Sequence, residues 1–273
     1  MLTAGFSFAA EQRVYKAMIL DGQNNHDWRS TTPMIRAALE KSGRFEVSVV
    51  TAPPSGAPAV QWDAFAPRFS DYDAIVSNYS DFGAKPTPVS FLDALTRYVR
   101  EGGPLVVVHA ANSGMDHYPE FARMVGMGWR DGDRLYVDDE GRTVRQPKGQ
   151  GPATAHGRPF KWTVRMWATD HPVCAGLPRI WVHQTDELWA APRGPAQEVE
   201  ILATAVAPET KQNEPVIWTV KYGKGRVVAT LMGHDADSMK CPGFAAVLAR
   251  GAEWAISGQV TQKPPADLPA KLD

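Results

Sequence analysis

Short apolar runs alternate with helical patterns through the first half of this 273-residue chain. Parallel strands need a crossover between them, and a helix is the usual one, so this alternation favours a parallel sheet with helices on both faces. We therefore predict an α/β fold with a doubly wound, mostly parallel sheet. The predicted strands are Lys16–Leu20, Glu46–Thr51, Ala74–Ser77 and Leu105–His109, and the predicted helices are Pro33–Lys41, Ser90–Arg100 and Tyr118–Val125. The first and last of these strands are expected in the interior of the sheet, because both are continuous apolar runs.

The middle of the chain, residues 126–198, interrupts this alternation. It is rich in glycine, proline and charge, and its clearest strand pattern is Lys161–Trp167. We interpret it as an insertion over the carboxyl-terminal edge of the sheet. The regular pattern then returns in the strands Glu200–Val206, Val216–Tyr222 and Arg226–Met232, of which the last two form a predicted hairpin, and in the helix Phe244–Ser257. One domain of residues 16–258 is expected, with a frayed tail at 259–273.

Bulk properties exclude several classes of partner. Formal charge is −1, with 29 basic and 30 acidic residues and no basic stripe, which argues against nucleic acid as a partner. No apolar run approaches the ~18 residues of a membrane span.

Residues 1–15 are expected to be a flexible segment or a signal-peptide remnant, because Leu2–Ala10 is apolar and ends in small residues. Export to the periplasm is therefore favoured over a cytoplasmic location.

The chain has two cysteines, Cys174 and Cys241, each in a turn-like Pro/Gly context. We predict that both thiols are free. Neither sits in the electropositive strand-to-helix setting that lowers a thiol pKa, so neither is expected to be a nucleophile.

Polar residues cluster directly after several predicted strands. Ligands of open parallel sheets bind at the carboxyl ends of the strands, so these clusters predict a shared crevice. The alternative is a set of polar loops whose side chains cap their own backbone. The candidates for substrate binding are Asn24, Asn25, His26, Asp27, Trp28, Asn78, Asn112, His234 and Asp235.

The candidates for catalysis are His109, His183, Asp186 and Glu187. An imidazole titrates near neutral pH, so His109 or His183 is expected to act as general acid or base beside a carboxylate. The alternative to a catalytic role is that the segment with Asp186 and Glu187 is a solvated turn whose side chains cap the backbone. Trp181 and Trp189 flank that segment and form either a stacking platform for a sugar or part of the core.

The sequence contains none of the common local motifs for a catalytic nucleophile, a nucleotide or zinc. The chain lacks a nucleophile elbow, a P-loop, a Gly-x-Gly-x-x-Gly loop after the first strand, and the His-Glu-x-x-His and Cys-x-x-Cys zinc spacings. A divalent metal, zinc or similar, would need dispersed ligands, for which the candidates are His26, His109 and His183.

Several motifs together resemble the ThuA-like family, named for trehalose utilisation and related in fold to class I glutamine amidotransferases. They cover nearly all of the chain from Lys16 to Gly258. The matching segments are Ile19–Trp28, Phe69–Asp73, Gly102–Asn112, His171–Pro172 with Gly176–Pro178, Asp186–Leu188, and Tyr222–Val227 with Gly233–Asp235. The resemblance implies a flavodoxin-like sheet without the amidotransferase cysteine, and a role in sugar or keto-sugar catabolism. One departure is Trp189, where relatives often carry tyrosine.

Two functions remain open at this point. The first is an enzyme that acts on a sugar derivative by hydrolysis, elimination or isomerisation, with or without a metal, but not as a glutamine amidotransferase. The second is a non-catalytic sugar-binding or scaffold protein on the same fold. In both, the expected partner is a small-molecule sugar, and the sequence leaves open whether the chain forms a homo-oligomer.

Overall fold

The computed structural model describes residues 13–269, which form five α-helices, a large mixed sheet and a separate two-stranded sheet of Ala155–His156 and Trp189–Ala190. The helices are α1 (Trp28–Lys41), α2 (Ala59–Ala64), α3 (Val89–Arg100), α4 (Pro119–Val125) and α5 (Pro242–Ser257). The strands are β1 (Tyr15–Asp21), β2 (Phe45–Thr51), β3 (Ala74–Ser77), β4 (Leu105–Val108), β5 (Asp133–Val137), β6 (Thr143–Gln146), β7 (Ala155–His156), β8 (Phe160–Met166), β9 (Ile180–Asp186), β10 (Trp189–Ala190), β11 (Arg193–Gly194), β12 (Val199–Val206), β13 (Asn213–Tyr222) and β14 (Gly225–Thr230).

Five strands form the parallel part of the sheet, in the order β2-β1-β3-β4-β14. If β14 is counted as the fifth strand, this is the 2-1-3-4-5 order of flavodoxin-like sheets. Every residue of β3 and β4 is buried, which explains their continuous apolar sequences. The prediction of parallel strands is confirmed for this part of the sheet, and both β1 and β4 lie inside it.

Beyond β14 the sheet is antiparallel. The hairpin of β13 and β14 is confirmed, with Tyr222 opposite Gly225, and β12, β8 and β9 continue the sheet in that order. Residues 126–198 thus extend the sheet through β5, β8 and β9, and do not simply lie over it as predicted. The prediction failed because these strands pair with partners far away in the chain, which local periodicity does not reveal.

The helices pack into two apolar cores. One core holds Ile35 and Leu39 of α1 together with Val247 and Leu248 of α5. The other core holds the buried side chains of α3 and α4, such as Leu92. Each core also contains side chains from the central strands, so the sheet lies between the two cores.

Helix α1 begins five residues earlier than predicted. The expected start was a threonine cap with Pro33 in the first helical position, but the helix starts at Trp28 and Asp27 is its N-cap. The Asp27 carboxylate accepts a hydrogen bond from the Ser30 N–H at 3.4 Å. Pro33 therefore lies inside the helix, where its ring costs one backbone hydrogen bond.

The described part of the tail, residues 259–269, is anchored rather than frayed. The Thr261 hydroxyl donates to the buried Glu253 carboxylate at 2.5 Å, and Gln262 contacts the same group. Farther on, the Val182 N–H donates to the Pro269 carbonyl at 2.7 Å.

Between residues 13 and 269, no helix is long and apolar enough to cross a membrane.

Candidate functional site

A cavity of about 150 Å³ opens at the carboxyl-terminal edge of the parallel strands. Loops after β1 and β4 form one side of it, and the region of residues 126–198 forms the other. The lining residues are Asn25, His26, Phe82, Ala110, Ser113, Trp129, His156, Glu187 and Trp189.

His109 lies directly after β4, in a backbone conformation with a φ of 45° that side-chain-bearing residues rarely adopt. Its ring Nδ1 lies 2.6 Å from the Leu231 carbonyl oxygen. A carbonyl can only accept, so Nδ1 carries the proton and Nε2 bears the lone pair. That Nε2 is buried, has no hydrogen-bond partner within residues 13–269, and lies 3.7 Å from Glu187 Oε1.

Two further imidazoles pack against His109. The ring of His26 lies 5.0 Å from that of His109 and 4.5 Å from that of His234, measured between centroids. His26 is held by Asn24, whose side-chain oxygen accepts the His26 N–H at 2.9 Å. His234 follows Gly233, where a side chain would collide with Met239 and Phe244.

Glu187 is the acidic group at the centre of these imidazoles, and only 6% of its surface is exposed. Its Oε2 lies 3.3 Å from His156 Nδ1 and 3.5 Å from His234 Nε2. The indole N–H of Trp189 donates to its Oε1 at 2.6 Å. Trp189 thus supplies a hydrogen-bond donor at the position where the resemblance implies tyrosine.

Asp186 and His183 lie in a layer beneath the cavity. His183 Nε2 is 2.7 Å from Asp186 Oδ2, and both side chains are fully buried. Burial, the largest single influence, lowers the pKa of His183, but the hydrogen bond and charge of Asp186 together with those of Cys241 outweigh it and raise the pKa to about 9. Asp186 also accepts the backbone N–H groups of Glu187, Gly233 and His234, and so positions the residues above it.

The pKa values of His26 and His109 are shifted in the opposite direction. Burial, together with charge repulsion from His109, His234 and His156, lowers the pKa of His26 to about 3. Burial also lowers the pKa of His109. Both rings are therefore neutral at neutral pH, with lone pairs that can accept a proton or bind an ion.

One group of residues has the arrangement of a metal site. Ligand atoms of His26, His109 and Glu187 all lie within 4.8 Å of one another. The structure does not bring His183, the third ligand candidate from the sequence, into this group, because its Nε2 is bonded to Asp186. Glu187 takes its place.

Several candidates for substrate binding make contacts within the fold instead. Asp27 caps α1, and Arg29 stacks on Trp28 at 4.2 Å. The Asn78 amide donates to Thr31 and Thr32, which fastens the end of β3 to α1. The Asn112 amide donates hydrogen bonds to the carbonyls of His109 and Thr230. The Asp235 carboxylate accepts a hydrogen bond from the Ser238 N–H. The alternative of self-capping polar loops therefore holds for part of this set.

Sequence reasoning missed the aromatic wall of the cavity. Trp129 lies 5.6 Å from Trp189 and 5.4 Å from His156, in edge-to-face contacts. Trp129 and His156 come from a region without periodic pattern, so no local signal marked them. Of the two tryptophans considered, Trp189 lines the cavity and Trp181 is part of the core.

Both cysteines are free and buried, as predicted for their redox state. Burial raises the pKa of Cys174 to about 12. Cys241 differs from the prediction, because it is the N-cap of α5 and lies beside His183. Burial raises its pKa, but the His183 imidazole and hydrogen bonds from the backbone of Phe244 and Gln184 together lower it by more, so the net direction is downward. Cys241 therefore has a helix start and an imidazole beside it, but it follows a 3₁₀ turn rather than a strand, and its thiol is closed to solvent.

Comparisons with known proteins identify the family. The family model for ThuA, described as trehalose utilisation, matches residues 16–255. A ThuA-like protein from Parabacteroides merdae is 35% identical, with 94% of this chain and 95% of that chain covered and a TM-score of 0.86.

Two other solved structures share the fold at lower identity. A ThuA-like protein from Bacteroides uniformis is 19% identical, with coverages of 96% and 99% and a TM-score of 0.62. A cytoplasmic protein from Salmonella typhimurium is 14% identical, with coverages of 89% and 99% and a TM-score of 0.54. The comparison with curated proteins returned no match. On the strength of the family match and the 35% identity, this chain belongs to the ThuA family, and that membership implies a carbohydrate-related role.

Proposed function

We propose that this protein is an enzyme that carries out acid–base chemistry on a sugar or keto-sugar derivative, with Glu187 as the proton acceptor. The observation that carries the proposal is the surroundings of Glu187. Its buried carboxylate faces His109, His156 and His234 at 3.3–3.7 Å. A base and several imidazoles around one cavity can remove a proton from one atom of a substrate and deliver a proton to another.

The cavity suits one sugar ring. A cavity of 150 Å³ in another protein binds benzene, so a volume of about 150 Å³ limits the occupant here to one ring and excludes a whole disaccharide. Phe82, Trp129 and Trp189 supply flat apolar surfaces on which the C–H face of a sugar can stack. Asn25 and Ser113 supply hydrogen-bonding groups for hydroxyls at the same cavity.

Residues 126–198 act as a lid in this proposal. They supply Trp129, His156, Glu187 and Trp189, so the catalytic carboxylate itself lies on the segment that covers the strand ends. Functional residues are often carried by such segments on a rigid scaffold. The doubly wound parallel part of the sheet is then the scaffold that holds His26 and His109.

The test is turnover on a panel of trehalose, other disaccharides, monosaccharides and their keto derivatives, with products identified by mass and by NMR. The products decide between hydrolysis, elimination and isomerisation. Glu187→Gln keeps the shape of the side chain and should lower turnover by about 10²–10⁴-fold. His109→Ala should abolish turnover at a stability loss below about 2 kcal/mol.

The matched control is Glu101→Gln, because Glu101 ends α3 at the opposite end of the parallel strands and is exposed. It should leave turnover unchanged. If wild-type protein binds a sugar from the panel by calorimetry but converts none, the sugar-binding alternative replaces the enzyme. Equal turnover by wild type and Glu187→Gln would remove Glu187 from the chemistry.

A further inference from the structure

We propose that His26, His109 and Glu187 bind one divalent transition-metal ion and leave an open coordination position toward the cavity. The proposal rests on the pocket of the proposed function and adds a cofactor to it. It changes the ligand set expected from the sequence, because a carboxylate takes the place of a third histidine.

The spacing of the three ligand atoms is close to that of a bound ion. For a tetrahedral zinc with ligand bonds of 2.0–2.1 Å, two ligand atoms lie about 3.4 Å apart. His109 Nε2 and Glu187 Oε1 are 3.7 Å apart, and all three ligand atoms lie within 4.8 Å of one another. Small side-chain movements of His26 would therefore complete the triad.

His109 has the orientation of a metal-binding histidine. Its Nδ1–H donates to a backbone carbonyl, which fixes the ring and presents the Nε2 lone pair to the other two ligands. That Nε2 is buried and has no hydrogen-bond partner among the described residues. A buried polar atom without a partner is costly, and a bound ion would satisfy it.

Glu187 is held in place independently of any ion. The Trp189 indole fixes its Oε1, and Asp186 accepts its backbone N–H at 2.8 Å. A metal site with such outer contacts has its ligands arranged before the ion enters. These contacts distinguish Glu187 from a solvated surface carboxylate.

The donor set indicates the type of ion. Two imidazoles and one carboxylate suit zinc and its first-row neighbours, whereas calcium and magnesium prefer oxygen ligands. Three protein ligands leave one position open, which is the arrangement of catalytic rather than structural zinc sites. His156 and His234 border that open side next to Glu187 Oε2.

The experiment measures metal binding without reference to turnover. Full-length protein is stripped with a chelator, dialysed and titrated with Zn²⁺ by calorimetry, and Co²⁺ is added separately as a visible-absorption probe. We expect one ion per chain in each case. Glu187→Gln and His26→Ala should weaken Zn²⁺ binding by about 100-fold or more.

The matched control is His171→Ala, because His171 packs against Trp254 away from the cavity. It should bind Zn²⁺ like wild type, and circular dichroism confirms that each variant is folded. Less than one equivalent in wild type, or unchanged binding in both ligand variants, would overturn the metal site.

The outcomes for the metal and for the enzyme can be told apart. If stripped protein without ion still turns over a sugar, the enzyme stands and the ion has no part in it. If Zn²⁺ binds at the three residues and no sugar is converted, the metal site stands and the proposed function fails.

Discussion

Asp186 and Glu187 are neighbours in sequence but belong to two different regions of the molecule. Asp186 lies in the buried layer and accepts four hydrogen bonds, one from His183 and three from backbone N–H groups. Glu187 lies at the cavity, where Trp189 is its one hydrogen-bond donor among the described residues and three imidazoles face its oxygens.

The two carboxylates differ in how many of their lone pairs are already used in hydrogen bonds. A buried carboxylate whose lone pairs are all used stabilises the fold, and its removal leaves its partners unsatisfied. A carboxylate with unused lone pairs in a cavity is available to a proton, an ion or a substrate. In the proposed function, Asp186 is a positioning residue and Glu187 is the reactive one.

The largest expected effect on stability is that of Asp186→Asn. The change leaves the buried His183 imidazole without its counter-charge, so we expect the free energy of unfolding to fall by about 3–5 kcal/mol. Glu187→Gln should change it by less than about 1 kcal/mol, because the amide oxygen of glutamine can still accept the Trp189 N–H and the imidazole contacts are not hydrogen bonds. Urea unfolding followed by circular dichroism measures both free energies. Equal losses in the two variants would show that Asp186 and Glu187 contribute equally to stability, which contradicts the comparison.

The second prediction concerns the pH dependence of stability. The folded pKa of His183 is about 9, above its usual 6.5, so the stabilisation is complete below pH 6.5 and is lost as pH rises through 9. Unfolding free energy should fall by up to about 3 kcal/mol between pH 6.5 and 9.5. In Asp186→Asn the unfolding free energy should no longer fall over this pH range. In Cys241→Ala, which removes the thiol beside His183, it should still fall as pH rises.

A smaller effect is expected at the Trp189 indole. Trp189→Phe removes the donor to Glu187 Oε1, and a hydrogen bond to a charged group contributes about 1.5–3 kcal/mol. Turnover should therefore fall by roughly tenfold or more. Trp189→Tyr, the residue common in relatives, should retain more activity than Trp189→Phe if its hydroxyl reaches Glu187. If phenylalanine and tyrosine behave alike, the indole acts only through its size.

The smallest effect is expected for the cysteines. Both thiols are buried away from the cavity lining, so the double variant Cys174→Ser, Cys241→Ser should keep wild-type turnover per folded molecule. Turnover is measured after the folded fraction has been determined by gel filtration. Complete loss of activity in a folded double variant would show that the buried layer contributes a nucleophile.

Elements with a strong local pattern were predicted well from the sequence. β3 has the predicted bounds, and α3 begins one residue earlier than expected. Both are governed by the periodicity of a few adjacent residues, which a single sequence displays. The start of α1 was wrong because Asp27 competes with two threonines as the cap, and the choice depends on how the preceding loop folds.

The site was predicted in part, and the reason lies in chain topology. His26, His109 and His234 follow parallel strands, whose carboxyl ends meet at one edge, so the sequence by itself determined that they converge. The tertiary structure decided which of Asp186 and Glu187 faces the cavity, because that depends on the hydrogen bonds at the end of β9. It also placed Trp129 and His156, since the pairing of the strands around them is long-range and leaves no periodic trace.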